Sequence, residues 1–206
     1  MLFFARYHVP LLLAGLFFFF VPSAYSGSFQ DGFSAYIKHD YSASRRIWER
    51  LAGEGDAVAA YYLGMIYHFG LGTVQDQNQA IRWYKTAAAK GLVNAQYNLG
   101  ILFCPGLFCS QERAAEAAFW LKNAASQGYV EAQYRLGLLC SQGLGVPKDE
   151  VEAGTWLTLA ANQGHPEAGH VQEALAARLK PEQLREVQER VQRWRPRFGG
   201  LDGIAD

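Results

Sequence analysis

The chain has 206 residues, and its 19 Lys and Arg balance 19 Asp and Glu, so no whole-molecule field draws it to nucleic acid or to an anionic membrane surface. A chain of this length can bury an ordinary core without disulfides or metals. Ala and Leu far outnumber the Val, Ile and Thr expected of sheets and only 7 residues are Pro, which predicts an all-α fold.

The first 26 residues follow the three-part layout of a secretory signal. Arg6 precedes an apolar run from Val9 to Val21 containing Leu11, Leu12, Leu13 and Phe17 to Phe20. Ala24-Tyr25-Ser26 then places small side chains at the minus-three and minus-one positions before Gly27. The run is short of the roughly 20 residues that a spanning helix needs. Cleavage after Ser26 is therefore preferred to an uncleaved anchor, and no cysteine near the cut supports a lipid anchor. The expectation is a periplasmic or secreted protein with no integral membrane segment once the signal is removed.

Residues 27–55 read as a degenerate opening hairpin, with a first helix from Phe33 to Lys38 and a second carrying Tyr41, Ala43, Ile47, Trp48, Leu51 and Ala52. Three matched units follow, at 56–93, 94–129 and 130–165. Leu63-Gly64, Leu99-Gly100 and Leu136-Gly137 are spaced by 36 and 37, while Trp83, Trp120 and Trp156, like Gly91, Gly128 and Gly164, are spaced by 37 and 36. In each unit an apolar stripe such as Ala95, Leu99, Leu102 and Phe103 falls at i, i+4, i+7 and i+8 of a first helix. Glycine in a helix interior costs about 1 kcal/mol relative to Ala, so Gly64, Gly100 and Gly137 predict close helix crossings. The turns Gly70-Leu71-Gly72 and Gly143-Leu144-Gly145-Val146-Pro147 lead to second helices capped at Asp76 and Asp149. Residues 166–206 read as capping helices, with Pro181 at the first position of the last one.

The middle unit departs from this pattern. Cys104-Pro105-Gly106-Leu107-Phe108-Cys109 replaces the glycine turn, and Phe108 stands where Gly72 and Gly145 stand. In an oxidising compartment Cys104 and Cys109 could close a short ring across the altered loop, while pairing of either with Cys140, or three free thiols, stays open. Three cysteines without a histidine at ligand spacing do not make a metal shell. His39, His68, His165 and His170 read as solvated, and no nucleophile is paired with a base, so no catalytic residue and no cofactor is implied. The arginines 185, 190, 193, 195 and 197 around Trp194 admit two readings, a basic contact surface or pairing with Glu182, Glu186 and Glu189.

The pattern A-x-x-x-L-G-x-x-[YF]-x-x-G-x-G followed by A-x-x-W-x-x-x-A-A-x-x-G resembles the Sel-1-like repeat, a relative of the tetratricopeptide repeat. The resemblance implies a right-handed α/α solenoid whose first helices line a concave surface that binds proteins or peptides, and a role as scaffold or adaptor in the cell envelope. A secreted effector and a cell-wall-related enzyme are the alternatives. Positions that vary between matched units are the candidate specificity determinants: Tyr62, Asn98 and Arg135 in one column, and His68, Cys104 and Ser141 in another. Tyr61, Tyr97 and Tyr134 do not vary and read as structural. If residues 1–26 are a cleaved signal, amino-terminal sequencing of the exported protein should begin at Gly27, and a start at Met1 in the membrane fraction would show an anchor instead.

Overall fold

The computed structural model describes residues 27–197, so residues 1–26 and 198–206, which hold the expected signal and the end of the capping segment, lie outside the described residues. The described residues form ten helices and no strand, paired as antiparallel hairpins along one axis. They are α1 (Phe29–Ile37) with α2 (Tyr41–Gly53), α3 (Ala57–Phe69) with α4 (Gln77–Ala89), α5 (Val93–Phe103) with α6 (Gln111–Ser126), and α7 (Val130–Gln142) with α8 (Glu150–Asn162). Then come α9 (Ala168–Ala176) and α10 (Pro181–Arg193). α1 begins four residues before the expected Phe33 because Ser28 and Asp31 form a reciprocal capping box. Aspartates cap α2, α3, α4 and α8 through their side chains, at Asp40, Asp56, Asp76 and Asp149.

Each hairpin closes over a glycine. A Cβ on Gly64 would lie 2.4 Å from the Tyr84 ring, one on Gly100 2.5 Å from Leu121, and one on Gly137 2.7 Å from Leu157. Gly32 holds the same relation to Trp48. The opening unit is thus a shortened copy, with Trp48 in register with Tyr84, Leu121 and Leu157, and Ile47 in the column of the repeated tryptophans.

The second turn glycine serves the joint between units. Gly145, at φ 72°, leaves no room for a side chain against the backbone of Ala114 and Ala115 at the start of α6, and Gly72 abuts Tyr41 at the start of α2. Phe108 cannot make this approach and stands fully exposed. The middle unit compensates in two ways. α5 has 11 residues against 13 in α3 and α7, and its last carbonyls, those of Leu102 and Phe103, accept bonds from the Arg113 guanidinium at 2.8 and 3.0 Å. α6 runs 16 residues and begins at a Ser110 cap.

The core divides into two clusters that meet inside the third hairpin. Ala95, Leu99, Leu102 and Trp120 face the N-terminal units, while Ala117, Ala118, Leu121 and Ala124 face the C-terminal ones. Trp120 and Leu121, neighbours on α6, thus belong to different clusters. At the far end Gly154 receives Val187 and Leu175, which covers the last apolar face of α8 with α9 and α10. The chain then returns, and the Arg197 amide donates to the Ser126 carbonyl at 2.8 Å.

Gly64→Val should destabilise the protein by about 1–3 kcal/mol or more through overpacking against Tyr84. Gly53→Ala, which meets nothing within 4 Å, should be neutral or stabilising by up to about 1 kcal/mol. Urea unfolding of the two variants measures both.

Candidate interaction face

The first helix of each hairpin buries one side and presents the other. On α3, Ala59, Ala60, Leu63, Gly64 and Ile66 are buried, which turns Val58, Tyr61, Tyr62, Met65 and Phe69 outward. The same positions are Asn94, Tyr97, Asn98 and Ile101 on α5, and Glu131, Tyr134, Arg135, Leu138 and Gln142 on α7. The column Tyr62, Asn98 and Arg135 therefore lies on one continuous face, as expected. These three positions are also held by packing, since all are half-buried. The Tyr62 ring sits 4.8 Å from that of Trp48 and 5.6 Å from that of Phe29. The Asn98 amide lies within reach of the Tyr61 and Tyr84 hydroxyls. The Arg135 guanidinium donates to Glu131 at 3.1 Å and approaches the Tyr97 hydroxyl.

The second column is also engaged. His68 stacks on Phe69 at 4.5 Å, and burial lowers its pKa. Ser141 donates to the Leu138 carbonyl at 2.9 Å. Cys104 is bonded to Cys109 with a Cα separation of 5.5 Å. Leu107 within that loop lines a cavity of about 50 Å³ together with Arg135 and Leu138. Cys140 is a buried free thiol, pushed up to about 12 by burial and by the nearby Glu152 and Asp149 carboxylates.

The unvarying tyrosines tie each unit to the next. Tyr61 reaches Asn98, Tyr97 reaches Arg135, and the Tyr134 hydroxyl donates to Glu167 at 2.8 Å. Burial, then the Glu167 bond, pushes the Tyr134 phenol up to about 12.

Three further features escaped the sequence reading. Gln96 and Gln133 are buried amides that donate to the Ala88 and Ala125 carbonyls of the preceding unit at 3.3 and 3.2 Å. Each also accepts from a glutamine at the end of its own hairpin, Gln127 at 2.8 Å and Gln163 at 2.7 Å. The residue after each Leu-Gly is apolar, so Met65, Ile101 and Leu138, with Phe33 after Gly32, form one apolar column along the face. His165, expected to be solvated, has a side chain only 7% exposed. It stacks on Tyr134 at 4.1 Å, its Nδ1 accepts the Glu167 amide at 3.2 Å, and its Nε2 lies 3.0 Å from Glu131. The Nδ1 bond leaves the proton on Nε2, donated to Glu131. Both ring nitrogens are thus occupied, and neither is directed at a substrate as a general base requires.

Among the described residues no group of three or more His, Cys, Asp or Glu side chains is placed to hold a metal ion, and no helix is long and apolar enough to cross a membrane. In the C-terminal helix Arg190 pairs with Glu186 and Arg193 with Glu189.

The family profile described as the Sel1 repeat matches residues 57–92, 93–129 and 130–165, together more than half of the chain. A crystallised Sel1 repeat protein from Oxalobacter formigenes is 24% identical over 80% of this chain and 70% of its own length, with a TM-score of 0.66. A protective antigen of uropathogenic Escherichia coli strains that displays an SLR fold is 21% identical over 81% of this chain and 52% of its own, with a TM-score of 0.37. No curated protein matches.

Cys140 should resist iodoacetamide at pH 8 in the folded protein, since a thiol pushed up to about 12 holds almost no thiolate there. Unfolding in urea should expose it to labelling, and mass spectrometry reads both states.

Proposed function

Because the chain belongs to the Sel1 repeat family, we propose that it is an exported scaffold that holds a protein or peptide partner in the cell envelope through the outward face of α1, α3, α5 and α7. The observation that carries this reading is the apolar column Phe33, Met65, Ile101 and Leu138, which runs across four consecutive hairpins. Met65 rests partly on the N-terminal core cluster, but each of the four keeps part of its surface in solvent, as an apolar contact face requires. Stacked hairpins are quasi-one-dimensional and present such faces as extended binding surfaces.

Export is supported by the layout of residues 1–26 and by the Cys104 to Cys109 bond, which persists in oxidising compartments. A binding role rather than a catalytic one is supported by His165, the histidine bonded to a glutamate on this face, whose ring nitrogens are both consumed. A protein rather than a nucleic acid partner is supported by the balanced charge and by the glutamate pairing of Arg190 and Arg193. Tyr62, Asn98, Arg135, His68 and Ser141 then act from the sides and floor of the groove, setting its shape as much as touching the partner.

The test is crosslinking and affinity capture with the exported protein, read by mass spectrometry. Asn94→Lys with Ile101→Gln should abolish capture of a reproducible partner while leaving the melting temperature within a few degrees. Arg82→Glu, exposed on the second helix of its hairpin, should leave capture intact. Loss with the Arg82 variant and retention with the face variant would discard the reading.

A further inference from the structure

The outward face changes character from one end to the other, and the change is read position by position. In the column of Val58 the successive units carry Val58, Asn94 and Glu131. In the column of Tyr62 they carry Tyr62, Asn98 and Arg135. At the far end of the helices Ile37 and Phe69 of the first two hairpins give way to Gln142 of the fourth. Phe33 is 37% exposed, Ile37 61%, Val58 41% and Phe69 60%, so four of the seven large hydrophobic side chains exposed among the described residues gather on α1 and α3. Such a cluster on one end of a face marks a contact site.

The other end is charged with a surplus of acid. Glu131 spends one oxygen on Arg135 and the other on His165, and Glu167 spends one on Tyr134 while remaining exposed. Two carboxylates, Glu131 and Glu167, face the single guanidinium of Arg135, so acidic side chains outnumber basic ones in this part of the face. An anionic membrane surface would be repelled there, whereas a cation would be attracted.

Resting on the scaffold reading above, we infer that the groove takes an extended segment of another protein with large apolar side chains at one end and a basic residue at the other. The apolar end lies over α1 and α3, and the basic residue lies over Glu131 and Glu167. A 12-residue segment in extended form reaches about 40 Å, enough to lie across several hairpins.

The experiment uses the purified protein and fluorescein-labelled 12-residue peptides with two Leu and one Phe in one half and a Lys, Ser or Glu near the opposite end. Fluorescence anisotropy should rank them Lys, then Ser, then Glu, with about fivefold between the extremes, as an exposed ion pair allows. The gap should close in high salt. Glu167→Lys should reverse the ranking. Val58→Ser with Phe69→Ser should weaken all three peptides tenfold or more with the fold intact by circular dichroism. Equal binding of the Lys and Glu peptides, or binding unaffected by the Val58 and Phe69 changes, overturns the inference. A dimer by sedimentation that the Lys peptide does not displace also overturns it, because a second copy then fills the groove. If the captured partner still depends on Ile101 while the peptides show no charge preference, the scaffold reading stands and the polarity falls. If the Lys peptide binds as expected while capture ignores Ile101, the scaffold reading falls instead.

Discussion

A glycine in the middle of each first helix lets the partner helix settle against bare backbone, and the other features of the hairpin follow from that contact. With Gly64, Gly100 and Gly137 in place, Tyr84, Leu121 and Leu157 can occupy the volume a side chain would have taken. The helix that accepts this approach gives up about 1 kcal/mol of intrinsic propensity, and the dispersion contacts of a buried ring or isobutyl group offset the loss. The crossing fixes which residues of the first helix point inward. It thereby fixes which point outward, and so the composition of the outward face is a by-product of the packing rule.

The middle unit shows how the rule is kept when its turn is lost. Without glycine at position 108 the turn cannot press against the start of α4 as Gly72 and Gly145 press against α2 and α6. The shortened α5 is finished by the Arg113 guanidinium, the loop is closed by Cys104 and Cys109, and α6 gains a turn. The crossing at Gly100 is unchanged. This unit also belongs to both core clusters, so the altered loop stands at the seam between the two halves of the molecule.

The repeat and the crossings were legible in the sequence because each recurs three times at one period, and the turn glycines because they recur in two of the three units. Features that occur once, or whose partner lies a whole unit away, were not. The environment of His165 depends on Glu131, 34 residues earlier, and the capping of α5 depends on Arg113, ten residues later across an irregular loop. Of the candidate site, the column Tyr62, Asn98 and Arg135 shares one outward face, but its contacts with Trp48, Tyr61 and Tyr97 come from neighbouring hairpins and leave no mark in local spacing. The apolar column was legible in the residue after each Leu-Gly. A search that prizes variation between units passes over a position whose apolar character is constant.

The glutamine bonds carry a consequence for the length of such molecules. Gln133 takes its two bonds from a carbonyl in the unit before it and from Gln163 in its own unit, and Gln96 does the same with Ala88 and Gln127. Every buried amide is therefore satisfied within a tile of one unit and the edge of its predecessor. A duplicated copy of residues 130–165, inserted after the original, would find Ala161 where Gln133 found Ala125 and would bring its own glutamine pair. Only the final copy needs Gly154 to receive Val187. The chain can lengthen by gene duplication at this point with each copy's buried glutamine still paired, and each added tile would extend the outward face by one column.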